Sequence, residues 1–197
     1  MTSKRESIEW CDLWVKDADR DGVPRVLLVG DSITKSYHSF VEKNLGERFA
    51  VARLSTSACV CDPDFLKQLQ PLVEGYDFSI IHFNNGLHGW GYSEEEYAEG
   101  YEAVVDWLLG HAPKAKLILA LTTPDRRIDR NGELDPGFRR VRERNRIAQA
   151  VALKRNLPVN DLFSLVSDHP EYFSDDCIHF NEQGQSLLGD QVTKAIR

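Results

Sequence analysis

A serine that ends an apolar run, and a histidine preceded three residues earlier by an aspartate, are the side chains here best suited to covalent chemistry. Gly30-Asp31-Ser32-Ile33-Thr34 follows the short aliphatic run at residues 25–29, and a helical pattern of Tyr37, Phe40, Val41 and Leu45 comes after it. A hydroxyl at such a strand-to-helix turn is lifted off the sheet and sits at a helix amino terminus, where free N–H groups and the dipole favour an anion. The same residues also suit an ordinary helix N-cap, with Asp31 or Ser32 satisfying a backbone donor. The turn lacks the later glycines of a dinucleotide fingerprint and is not a Walker loop. Near the other end stands Asp175-Asp176-Cys177-Ile178-His179-Phe180-Asn181. A serine nucleophile needs a base to take its proton, and the base needs a carboxylate to hold its tautomer. Asp176 and His179, three residues apart on a turn, can meet side chain to side chain.

These groups need a scaffold, and the apolar pattern supplies one. Residues 25–29, 51–54 (a weaker candidate), 78–83, 117–121 and 159–162 are short runs rich in apolar residues, as expected of strands buried on both faces of a parallel sheet. Between them lie helix signals. Ser93 and Glu96 form a capping box, followed by Tyr97, Tyr101, Val104, Val105, Leu108 and Leu109 on one face, and Gly110 and Pro113 stop that helix. A second helix opens near Pro136, turns Phe138, Val141, Ala148, Val151 and Ala152 inward, and ends by residues 156–158. Its arginines (Arg139, Arg140, Arg142, Arg144 and Arg146) read as a solvated face rather than a nucleic-acid stripe. Residues 182–196 form a last helix, and Trp10 and Trp14, four apart, read as the packing face or subunit contact of a first one. The alternation of strand and helix predicts a doubly wound α/β sandwich of about five parallel strands in a single domain, residues 1–197. In such sheets ligands sit beyond the carboxyl ends of the strands.

With both outer blocks in order at strand ends, the chain resembles the SGNH (GDSL-type) hydrolase family over nearly its whole length. VLLVGDSIT (residues 26–34) is similar to that family's first block and DDCIHFNEQG (residues 175–184) to its last. The resemblance implies a flavodoxin-like three-layer α/β/α fold and hydrolysis of esters or thioesters without a metal. It makes Ser32 the nucleophile, His179 the general base and Asp176 the orienting acid. The middle blocks depart from the pattern. Ala58 stands where the second block has the glycine whose amide helps form the oxyanion hole, with Ser55 as an alternative donor. His88, in Asn84-Asn85-Gly86-Leu87-His88-Gly89-Trp90, falls in the third block's Asn position, and Asn85 competes with it. An imidazole N–H can donate to an oxyanion as an amide does, or His88 simply lines the pocket. The expected oxyanion hole is therefore Ser32, Ala58 and one of His88 and Asn85.

Substrate signals are weaker. Asp31 and Trp90 are the candidate substrate contacts, and Trp90 and Tyr92 form either an aromatic wall or core anchors. Arg126, Arg127 and Arg130 can reach toward an anionic or sugar substrate, but Asp125, Asp129 and Glu133 neutralise them locally. The compact length leaves little room for a lid or an acyl tunnel. Together with the resemblance to small acetylesterases, it points to short acyl esters, acetyl groups on carbohydrate above all. The alternatives are a thioesterase or lysophospholipase of longer acyl preference, and a degenerate ligand-binding module.

Composition sets the outer limits. The 197 residues carry 24 Lys+Arg against 31 Asp+Glu, a net charge of −7, which opposes binding to a phosphate backbone. No apolar run suffices for a membrane span and no signal peptide is visible, so a cytoplasmic protein acting on a small-molecule or carbohydrate ester is expected, with neither nucleic acid nor membrane as partner. Cys11, Cys59, Cys61 and Cys177 lack zinc-site spacing and read as reduced thiols, and neither a metal nor a cofactor is expected. His82 reads as a core residue; His38, His111 and His169 read as surface or loop residues.

Overall fold

The computed structural model describes residues 4–128, 133 and 135–197. The elements are β1 (Cys11–Val15), β2 (Arg25–Gly30), α1 (Ser32–Leu45), β3 (Ala50–Thr56), α2 (Pro63–Gly75), β4 (Ile80–Phe83), α3 (Glu94–His111), β5 (Lys116–Ala120), α4 (Pro136–Arg155), β6 (Val159–Asn160), α5 (Leu162–Ser167) and α6 (Glu182–Ile196). One sheet holds the strands in the order β1-β3-β2-β4-β5-β6. Five of them pair in parallel, and β1 joins β3 antiparallel. The α/β/α sandwich with five parallel strands therefore matches expectation.

The reason lies in β2, where alternate side chains feed different cores. Val26 and Leu28 pack with α1 and α6 residues such as Tyr37, Val41, Leu188 and Val192. Leu27 and Val29 pack with Phe65, Tyr97, Tyr101 and Val105 of α2 and α3. A strand buried on both faces has no polar side to advertise, so it reads as an unbroken apolar run. Gly189 of α6 lets α1 lie close: a Cβ there would sit 2.5 Å from Phe40 Cβ.

Four expectations need correction. The segment carrying Trp10 and Trp14 is no helix. Cys11 to Val15 form an edge strand in register with Thr56 to Ala52, which leaves Leu13 and Trp14 exposed. A spacing of four fits both a helical turn and alternate strand positions, and here β3's open edge takes the segment. The run at 159–162 yields a strand only to Asn160, because Asp161 caps α5 by accepting from Ser164 N. His38 is buried, 6% exposed, against the expectation of a surface residue. Arg144, assigned to the solvated face of α4, is 1% exposed.

β2 lies at the point where the chain first steps to β3 on one side and then to β4 on the other. Loops that leave the carboxyl ends of strands flanking such a reversal form a crevice. The loop into α1, the loop after β3 and residues 84–93 after β4 all emerge there.

Candidate active site

Asp31 ends β2 and caps α1, its Oδ1 accepting from Ile33 N at 2.9 Å. That cap starts the helix at Ser32, whose half-buried side chain points out of the turn. Gly30 permits the tight exit, since a Cβ there would lie 2.0 Å from Thr34 Oγ1. Across 147 residues of sequence, Ser32 Oγ meets His179 Nε2 at 2.8 Å. His179 Nδ1 in turn meets Asp176 Oδ2 at 2.6 Å. A carboxylate only accepts, so Nδ1 carries the proton and Nε2 offers its lone pair to the serine hydroxyl.

The turn that brings His179 round is built from its own backbone. Asp176 Oδ1 accepts from Ile178 N at 3.0 Å and His179 N at 2.9 Å. Cys177 takes φ +61°, a conformation that a non-glycine residue adopts only where its surroundings impose it. Partial burial opposes ionisation of Asp176, but the bonds from His179, Ile178 N and His179 N prevail and bring its pKa down to about 2. A depressed carboxyl contributes stability that is present above its unfolded value and lost as pH falls through the folded one. Asp176→Asn should therefore cost stability at neutral pH, and the gap to wild type should close between roughly pH 4 and pH 2. Urea midpoints at several pH values measure this, and a gap as wide at pH 2 as at pH 6 would refute it.

The remaining predicted residues are held differently. Ala58 N donates to Thr56 Oγ1 at 2.9 Å, and Asn85 is tied into the loop after β3. Its Nδ2 donates to Ala58 O at 3.1 Å and its Oδ1 accepts from Val60 N at 3.3 Å. Ser55 Oγ is fully buried with no partner among the described residues. His88 is held through Nδ1 by Glu6 Oε2 at 2.9 Å, which leaves Nε2 as its other functional atom. Asp31 is 2% exposed and serves as the helix cap. Trp90 lies under two guanidinium groups, Arg144 at 4.6 Å and Arg140 at 5.2 Å from its ring centre. Arg127 is paired with Asp125, as expected of this loop, and Arg126 is held by the Ser167 carbonyl and over the Phe173 ring. Asp129 and Arg130 lie outside the described residues.

Three supports of the crevice escaped the sequence. Arg144 donates to the carbonyls of Gly86 (3.0 Å), His88 (2.5 Å) and Gly89 (3.2 Å), and through Nε to Glu94 at 3.1 Å. Arg140, one turn earlier, reaches the carbonyls of Trp90 and Tyr92 at 2.7 and 2.5 Å. Both sit on α4, where the inward positions 141, 145, 148 and 152 bracket 144, so its place in the stripe was a usable signal. Glu6 had none: it stands alone, far from every motif. The segment around it crosses the crevice, pinned by Lys4 N on Tyr92 Oη at 3.0 Å and by Trp10 N on Ser57 Oγ at 2.9 Å.

The sequence profile of the GDSL-like lipase/acylhydrolase family matches residues 28–187. No curated relative matches the chain. Solved structures of similar fold include a lipase/acylhydrolase from Enterococcus faecalis, 21% identical, covering 88% of this chain and 95% of that one at a TM-score of 0.70. The aryl esterase of M. smegmatis is 18% identical over 89% of this chain and 99% of its own, with a TM-score of 0.72. An acetyl-xylooligosaccharide esterase from Geobacillus is 18% identical over 88% and 94%, with a TM-score of 0.69. At such identities the likeness is one of fold. Among the described residues, no helix is long and apolar enough to cross a membrane.

Proposed function

The chain belongs to the GDSL-like lipase/acylhydrolase family and is a carboxylic ester hydrolase of the SGNH type; from that premise we propose that it is a serine esterase for short acyl, chiefly acetyl, esters. The observation that carries the reading is the unbroken bonded series Ser32–His179–Asp176 at the carboxyl edge of the sheet. Ser32 Oγ attacks the ester carbonyl while its proton passes to His179 Nε2, and Asp176 stabilises the imidazolium. His179 returns that proton to the leaving alkoxide, which departs as the alcohol. Water then gives a proton to Nε2 and attacks the acyl-serine, and His179 passes that proton to Ser32 Oγ as the bond to the acyl group breaks, releasing the acid and free Ser32.

The oxyanion is assigned to the Ser32 amide and to His88. Ala58 N is already committed to Thr56 Oγ1 at 2.9 Å, and Asn85 has one of its two amide hydrogens on Ala58 O at 3.1 Å and its Oδ1 on Val60 N at 3.3 Å. The short-acyl preference is supported by an open site: the His179 and Asp176 side chains are 44% and 49% exposed, which suits a bulky alcohol approaching from solvent. Esterases for acetyl-xylooligosaccharide and aryl esters share the fold, and an acetylated sugar is the substrate class proposed.

A panel of p-nitrophenyl acetate, butyrate and octanoate, followed by acetylated xylooligosaccharides, tests the preference. kcat/KM should fall about tenfold or more from acetate to octanoate. An optimum at octanoate would favour the thioesterase or lysophospholipase reading instead. Failure of a fluorophosphonate to label the protein would favour a ligand-binding module.

A further inference from the structure

We infer that Glu6 is a positioning residue of this site, fixing the His88 ring through Nδ1 so that its Nε2–H, as part of an imidazolium, donates to the oxyanion formed on the acylating carbonyl. The inference deepens the Ser32 reading and rests on it. Glu6 Oε2 lies 2.9 Å from His88 Nδ1, while Oε1 accepts from the next amide, Gly89 N, at 2.7 Å. Both carboxylate oxygens are thereby committed to the two residues of the third block that present the ring. Trp10, from the same crossing segment, sets its ring edge-on to the imidazole, 6.1 Å between centres at 77°. From below, Arg144 holds the His88 carbonyl at 2.5 Å. The ring is thus held in place at its Nδ1 and its backbone, with Nε2 as the remaining functional atom.

The chemistry of the pair then dictates the protonation state. A carboxylate cannot donate, so the shared hydrogen sits on His88 Nδ1. In the neutral ring Nε2 would be a bare lone pair, which repels an oxyanion. Only the imidazolium has N–H groups at both nitrogens. Titratable groups from several elements face the ring: Glu6 on the crossing segment, Asp31 at the start of α1 and the Cys59 thiol after β3, with Arg144 of α4 and its partner Glu94 of α3 beneath. Burial alone would lower the His88 pKa, but the bond to Glu6 and the Asp31 charge overcome it and raise the value above that of a free histidine. Burial also works against the Glu6 charge, yet the His88 and Gly89 bonds hold its carboxyl below the ordinary value. The sign follows: the charged pair is complete below the ordinary histidine value and is lost as pH rises through the raised one.

The test is the pH profile of kcat for p-nitrophenyl acetate in wild type, Glu6→Gln, His88→Ala and the double variant, with Ser32→Ala as control. Glu6→Gln should lower kcat about tenfold at pH 8, leave KM within about twofold, and move the alkaline limb to lower pH, because the neutral amide no longer holds the imidazolium. In the His88→Ala background the Glu6 change should have no further effect on kcat. An unchanged alkaline limb in Glu6→Gln, or the same loss of kcat with and without His88, overturns the inference. If Glu6→Gln does not fold, NMR titration of the wild-type His88 ring decides, since a midpoint below the free-histidine value of about 6.5 is incompatible with a held imidazolium. A wild type no faster than Ser32→Ala would instead remove the serine reading underneath, an outcome separable from the others.

Discussion

Ser32→Ala lowers kcat/KM for p-nitrophenyl acetate by about 10⁴-fold or more, equivalent to roughly 5.5 kcal/mol of transition-state stabilisation, and leaves the fold unchanged. The size follows from what one oxygen does. Ser32 Oγ is both the attacking atom and the partner of His179 Nε2 at 2.8 Å, so its removal stops acyl-enzyme formation and leaves the base with nothing to deprotonate but water. What remains is the slow attack of water helped by the oxyanion donors, and for that reason the loss is finite. Stability is spared because the half-buried hydroxyl is neither the helix cap, which is Asp31, nor a bridge between elements of the core. Steady-state kinetics and a thermal scan on the same preparation read both halves of the expectation. Retention of more than about a tenth of wild-type kcat/KM would rule out Ser32 as nucleophile.

The parts of this architecture that were legible in the sequence are those in which local chemistry and tertiary environment agree. β2 is buried on both faces, so its composition carries its location. The α3 start is fixed by a Ser93–Glu96 capping box that is complete in the structure. Ser32, Asp176 and His179 could be paired across the chain because each sits at a strand or turn end, where a doubly wound sheet gathers its loops. The parts that were not legible depend on partners distant in sequence. β1 alternates Cys11, Leu13 and Val15 with Asp12 and Trp14, and Asp12 finds Arg53 at 2.6 Å and Lys35 at 2.5 Å only once the strand lies beside β3. Glu6 is one acidic residue in a charged segment, and 82 residues separate it from the histidine it holds. Arg144 belongs to a helix whose other arginines are mostly solvated, so composition averaged over α4 conceals the one that is not.

Arg144→Ala should destabilise the protein by about 3–5 kcal/mol, the range for removing one partner of a buried ion pair. The guanidinium is wholly buried, and its loss takes the side-chain donor from the carbonyls of Gly86 and His88 and from one oxygen of Glu94, and leaves Gly89 O with Tyr92 N alone. It also removes a cation from between two aromatic faces, 4.6 Å from the centre of Trp90 and 4.5 Å from that of Tyr97. For a domain of this size each kcal/mol moves Tm by roughly 2–4 °C, so a drop of about 6–20 °C is expected in a thermal scan. Lysine keeps the charge but presents a single ammonium where a planar fork serves four acceptors, and Arg144→Lys should recover only part of the loss. A single variant within about 1 kcal/mol of wild type would mean that water replaces the guanidinium, and that the loop bearing His88 is held from above by Glu6 rather than from below by α4.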